Sequence, residues 1–204
     1  MFIKFCGITR VEDATGAAGL GVDAIGLNFY PESKRFVDDK TVAEICAALP
    51  KTVLKIGLFV NVSADEVNQK LKDFSLDFLQ FHGDETPAFC SQWGPRVIRA
   101  ISPKKENDLE IIKEYDFARM IIVDASVVGQ YGGTGERANW ELAKKAVDNF
   151  DKPVLLAGGL TPENVAEAVE FVKPFGVDVA GGVESSPGIK DFGKMRNFIK
   201  NSKI

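Results

Sequence analysis

Six short features of this chain carry residues suited to chemistry. The run Lys4-Phe5-Cys6-Gly7 ends an apolar stretch on a thiol followed by a glycine. A cysteine so placed can act as a base or nucleophile where neighbouring cations favour the thiolate. The plain alternative is a small packed hydrophobe, which is the reading adopted for Cys46 and Cys90, both in helical stretches. Ile121-Ile122-Val123-Asp124 ends on a carboxylic acid, a proton donor if its surroundings raise it, or otherwise the cap of a turn. His82 is the only histidine. A solitary histidine is more often a hydrogen-bonded structural residue than a catalyst, and it cannot build a metal site of several imidazoles. The acidic residues do not cluster either, so no metal is implied. Arg35 follows Lys34 and offers a planar fork for a carboxylate. Gly158-Gly159 and Gly181-Gly182 each follow an apolar run. Without Cβ atoms such pairs let backbone amides approach an anion, although each pair could also be a left-handed turn.

These positions gain meaning from the elements that must carry them. Eight short apolar runs are legible, at residues 2–6, 24–29, 53–60, 78–81, 97–101, 120–123, 154–157 and 177–180. Stretches with helical spacing lie between them, at 40–49, 64–74, 139–150, 162–172 and 191–200. Ser63 with Glu66 reads as one helix start, and Thr161-Pro162, with proline at the first helical position, as another. Apolar strands alternating with helices predict a parallel sheet covered by helices. Eight repeats favour a closed barrel over an open sheet. The expected architecture is therefore α/β, a single-domain (β/α)8 TIM barrel occupying residues 1–204. Residues 31–34, 103–107 and 126–137 would form loops at the mouth. In such a barrel the ends of the strands gather at one face, and paired loops after strands seven and eight commonly bind phosphate. Cys6, Asn28, Arg35, Asn61, His82, Asp124 and both glycine pairs all fall at that face.

Composition excludes several classes. Of 204 residues, 45% are apolar and 26% charged, enough to bury a core and unlike a disordered chain. Lys and Arg number 25 against 29 Asp and Glu, so no basic excess exists to neutralise nucleic acid. The longest apolar run, 53–60, is broken by Lys55 and is too short to span a membrane. The N-terminus lacks the pattern of a secretory signal, and three widely spaced cysteines give no disulfide framework. A cytoplasmic protein with free thiols is expected. Of the 15 phenylalanines, Phe36, Phe59 and Phe81 sit near strand ends, where filling the barrel is their ordinary use.

Taken together in this order, the motifs resemble the phosphoribosylanthranilate isomerase family of tryptophan biosynthesis. The resemblance runs from residue 4 to about 191. It includes Lys4-Phe5-Cys6-Gly7-Ile8-Thr9-Arg10, Lys34-Arg35-Phe36-Val37, Gln80-Phe81-His82-Gly83, Gly132-Gly133-Thr134-Gly135, Leu156-Ala157-Gly158-Gly159-Leu160-Thr161-Pro162 and Gly188-Ile189-Lys190-Asp191. It implies an Amadori rearrangement of N-(5-phosphoribosyl)anthranilate without a cofactor. Cys6 is then the matched general base and Asp124 the matched general acid. Arg35 and His82 would meet the anthranilate end, and Gly158, Gly159, Gly181 and Gly182 the phosphate. The expected partner is that small phosphosugar substrate, with the protein a monomer or homodimer, and no nucleic acid or membrane.

Two departures stand out. Where the family usually has Asp-Val-Ser-Ser-Gly-Val-Glu, this chain has Asp178-Val179-Ala180-Gly181-Gly182-Val183-Glu184. Both hydroxyls are gone, which leaves phosphate to backbone amides. Lys34 replaces a proline before Arg35, a change expected to loosen that loop. A neighbouring phosphosugar barrel such as indole-glycerol-phosphate synthase needs catalytic Lys and Glu residues, for which Lys55 alone is no set. A barrel that only binds its ligand would need neither Cys6 nor Asp124.

Overall fold

The computed structural model describes residues 1–124 and 140–203. The expected loop at 126–137, including Gly132-Gly133-Thr134-Gly135, lies outside them. Eight parallel strands close into a barrel in chain order: β1 (Phe2–Phe5), β2 (Ala24–Asn28), β3 (Leu54–Phe59), β4 (Phe78–Phe81), β5 (Val97–Ile101), β6 (Met120–Val123), β7 (Val154–Leu156) and β8 (Gly176–Val179). The ring closes where β1 pairs with β8, placing Lys4 opposite Asp178.

Side-chain alternation along the strands splits the core in two. Ile3, Phe5, Ile25, Leu79, Phe81, Val97 and Ile121 belong to the cluster packed against the helices. Ala24, Ile56, Ile98, Ala100, Met120, Ile122 and Leu155 form a separate cluster that fills the barrel. Continuing the second set one pleat upward reaches His82 beyond β4 and Asp124 beyond β6. On β1 the same parity runs Phe2, Lys4, Cys6.

Helices follow the strands: α1 (Val11–Gly19), α2 (Asp39–Ala48), α3 (Ala64–Phe74), α4 (Pro87–Cys90), α5 (Ile111–Glu114), α6 (Trp140–Asn149), α7 (Val165–Val172) and α8 (Phe192–Ser202). Ser63 caps α3 by accepting from the Glu66 amide at 3.2 Å, in line with the sequence pattern. Asp38, Thr86 and Asp191 cap α2, α4 and α8 in the same way. The helix expected at 162 starts three residues later. Asn164 Oδ1 accepts from the Thr161 amide and its Nδ2 donates to the Gly159 carbonyl, which holds 161–164 as a turn. Between β8 and α8 lies an unanticipated antiparallel hairpin, β9 (Glu184–Ser186) with β10 (Ile189–Lys190). Cys90 is buried and Cys46 half-buried on helices. Phe59 and Phe81 are core, whereas Phe36 is exposed at the mouth.

Candidate active site

The mouth is built from the ends of the strands, and the expected residues arrive there. Cys6 follows β1 and is buried. Its amide donates to the Val179 carbonyl at 2.8 Å, extending the β1–β8 seam by one residue. Burial pushes the thiol up, while the ammonium groups of Lys4 and Lys190 pull it down. The cations expected around Cys6 are therefore present, yet desolvation outweighs them.

Arg35 is brought over the mouth by a tied loop. Asn28 Oδ1 accepts from the Tyr30 amide, Asn28 Nδ2 donates to Ser33 Oγ, and Ser33 Oγ accepts from the Arg35 amide. The loosening expected from Lys34 is thus countered, because the asparagine and serine hold the loop without a proline. The Arg35 stem lies over Gly7, where a Cβ would overlap it, and its Nη2 passes 3.2 Å from where a Gly181 Cβ would be. Glu184 grips the guanidinium with both oxygens and also accepts from Lys190 Nζ at 2.8 Å. Burial pushes the Glu184 carboxyl up, but hydrogen bonding from Arg35 and the charge of Lys190 hold it below the usual range. Lys190 spends its remaining hydrogens on the Cys6 and Ala180 carbonyls, at 2.7 and 3.1 Å. It thereby ties the hairpin to the ends of β1 and β8.

On the far side of the ring, His82 Nε2 lies 3.4 Å from Asp124 Oδ2, both side chains being buried. His82 Nδ1 is paired with the Gln80 amide nitrogen at 3.1 Å. Burial, then the positive charges of Lys4 and Arg99, bring the ring down to about 4, so it is neutral at pH 7. Asn61, at the end of β3, is a strut: its Oδ1 accepts from the Asp84 amide, and its own amide donates to Glu85. The loop after β4 is fixed by that contact.

The two glycine pairs occupy adjoining loops after β7 and β8. Gly158 and Gly159 have φ of 88° and 65°, the left-handed region where a side chain is strained. Gly182 is required by close approach, since its Cβ would overlap the Leu160 carbonyl oxygen of the neighbouring loop. Gly181 stands in more open space. Among the described residues no three His, Cys, Asp or Glu side chains gather as a metal ion's ligands. No helix among them is long and apolar enough to cross a membrane.

A family model described as N-(5'-phosphoribosyl)anthranilate (PRA) isomerase matches residues 3–201. The chain belongs to this family. N-(5'-phosphoribosyl)anthranilate isomerase of Pseudomonas savastanoi pv. phaseolicola is 49% identical over 197 residues, covering 96% of this chain and 94% of the relative. The crystal structure of phosphoribosyl anthranilate isomerase from Thermotoga maritima superposes with a TM-score of 0.91 at 38% identity, covering 100% of this chain and 98% of that one. A structure of the isomerase in complex with reduced 1-(o-carboxyphenylamino)-1-deoxyribulose 5-phosphate superposes with a TM-score of 0.88 at 36% identity, over 100% and 98% of the two chains. The closed eight-stranded barrel of this chain is thus shared with the solved isomerases. Residues that stand within the quoted motifs but were given no role of their own are the supports. Lys4, Gln80, Asp178, Glu184 and Lys190 are each buried and each touch or face a proposed site residue. Their one signal in the sequence is a charged or amide side chain within or beside an apolar run.

Proposed function

We propose that this isomerase converts N-(5-phosphoribosyl)anthranilate to 1-(2-carboxyphenylamino)-1-deoxy-D-ribulose 5-phosphate, as a step of tryptophan biosynthesis, with Asp124 as general acid and Cys6 as general base. The chain acts as one barrel domain. The observation that carries this reading is the placement of one thiol and one carboxylic acid at strand ends three steps apart round the ring, both on the interior parity.

The chemistry requires two such groups. Opening the furanose ring leaves an alkoxide unless an acid protonates the ring oxygen, and Asp124 supplies that proton. The resulting Schiff base carries a cationic nitrogen that acidifies the proton on C2′. Cys6, as thiolate, removes it to give the enolamine, which tautomerises to the ketone. An acid starting protonated and a base starting ionised are needed at separate points around one sugar. Free side chains near neutral pH offer the reverse, with reference values of about 3.9 and 8.5. At the anthranilate end, the Arg35 fork matches the substrate carboxylate and the neutral His82 ring lies beside Asp124. The phosphate then falls to the amides of Gly158, Gly159, Gly181 and Gly182. That the solved relative holds a reduced form of the product supports this reading.

The test is a steady-state assay with freshly generated phosphoribosylanthranilate. Loss of substrate fluorescence without an indole-ring product is the expected result. A flat trace from folded protein would leave only a binding barrel.

A further inference from the structure

The reaction as proposed makes no use of a buried cation that sits directly beneath it. Lys4 is fully buried, pairs in register with Ala24 of β2, and points to the side of the barrel whose apolar filling includes Ala24, Ile56 and Ile98. Its Nζ donates to Asp178 Oδ1 at 2.9 Å, across the seam where β1 and β8 pair in register. Such interior layers are ordinarily filled by branched aliphatic side chains. A buried ion pair is often replaceable by apolar residues at no loss of stability, so packing alone does not call for this one.

Gly26 on β2 shows what the ammonium faces. A Cβ there would lie 2.9 Å from Cys6 Sγ and 3.1 Å from Lys4 Nζ. The sulfur and the ammonium thus both border the space that this one missing carbon leaves. Lys4 also bears on the far wall, since its charge helps keep the His82 ring neutral.

We propose that Lys4 is a positioning residue for the isomerisation: its ammonium, anchored by Asp178 and admitted by Gly26, lies beside the Cys6 sulfur and favours its ionised form against the burial that opposes it. The inference rests on Cys6 being the base. Four other charged groups share the surroundings. Asp178 on β8 opposes ionisation of the sulfur and Lys190 on β10 favours it. Arg35, from the loop after β2, feels the thiolate as a partner, and Glu184 is already committed to Arg35 and Lys190. Packed against the sulfur, β2 contributes no titratable side chain, only Gly26. Of the two cations acting on Cys6, Lys190 has its hydrogens engaged by two carbonyls and a carboxylate. Lys4 Nζ has one hydrogen bond, to Asp178, and borders the same missing-carbon space as the sulfur.

The experiment reads the sulfur itself. Iodoacetamide alkylation of Cys6 is followed against pH by peptide mass spectrometry in wild type, Lys4→Met and Asp178→Asn. Removing the cation should raise the alkylation midpoint by about one pH unit or more, a roughly tenfold loss of thiolate at neutral pH. Removing the competing carboxylate should move it the other way, because the ammonium is then left with the thiolate as its anionic partner. The acid limb of kcat/KM should follow the midpoint in both variants. An unchanged midpoint, or shifts of the same sign in both variants, overturns the proposal. If Lys4→Met does not fold, Lys4→Gln decides in its place: a higher midpoint supports the proposal, and an unchanged or lower one refutes it. Full activity in Cys6→Ser would instead remove the base assignment, which the alkylation profile does not address.

Discussion

Arg35 and Glu184, 149 residues apart, are joined by two parallel hydrogen bonds of 2.8 and 2.7 Å, with Nε and Nη2 donating to the two carboxylate oxygens. A guanidinium has five donors in a fixed plane, so gripping one edge orients the rest. In the role proposed for Arg35, Glu184 aims the guanidinium in advance of substrate, which would lower the entropy lost when a second carboxylate is bound.

Arg35→Lys should raise KM about 10- to 100-fold while the fold persists, the loss expected for a hydrogen-bonded charge pair at about 1.5–3 kcal/mol. An ammonium cannot offer two parallel N–H groups along one planar edge to Glu184 and a second such edge to substrate. Unchanged KM, with circular dichroism confirming folded protein, would make Arg35 a structural partner of Glu184 alone.

Cys6→Ser and Asp124→Asn should each lower kcat at least ~100-fold with KM nearly kept, since each removes one proton transfer. Cys46→Ser and Cys90→Ser should retain turnover. Burial pushes the Cys90 thiol up to about 12, and it lies among the helices rather than at the mouth. Wild-type turnover in Cys6→Ser would leave Cys6 as packing.

His82 makes stability depend on pH. Its folded value of about 4 lies below the unfolded value near 6.5. Between those two the unfolded chain binds a proton that the folded protein does not. Stability is therefore full above about 6.5 and falls as pH drops towards 4, by about 3 kcal/mol in all. Urea unfolding at pH 7 and pH 4.5 should show this loss, and His82→Gln should lack that share of it. Equal losses in both proteins would place the acid sensitivity elsewhere.

The glycine loops separate stability from ligand binding. Gly182→Ala should destabilise the unliganded protein by more than about 2 kcal/mol, because its Cβ overlaps a backbone carbonyl. Gly181→Val has only the end of Arg35 close by and should leave the unliganded Tm nearly unchanged. Inorganic phosphate should raise the Tm of wild type and protect Gly181→Val less. Equal protection would put the anion at another place.

The strands of the barrel are legible in the sequence because a buried parallel strand is a continuous apolar run. Those at β4, β5 and β6 coincide with the runs residue for residue. Helices α4 and α5, of four residues each, are too short to show a period, and Gly94 with Pro95 interrupts the chain just beyond α4. The site is legible only as end residues of runs. Its supports are not, since Lys4 and Asp178 are partners across 174 residues of chain. That pairing is set by the register in which the ring closes, which no local pattern records. Pro162 misleads for a related reason: Asn164 reaching back to two backbone groups outweighs the proline's preference for a helix start.

The seam between β1 and β8 has a consequence in time. The thiol is made among the first residues, while the carboxylate that anchors its neighbouring ammonium and the lysine that ties its carbonyl come from residues 178 and 190. Long-range pairings of this kind are the late and slow events of folding, and synthesis at roughly 5–20 residues per second delays them further. On the ribosome, a nascent chain stalled before β8 thus carries a cysteine of ordinary solvent reactivity, and the surroundings of Cys6 come into being only as the last strand joins the first.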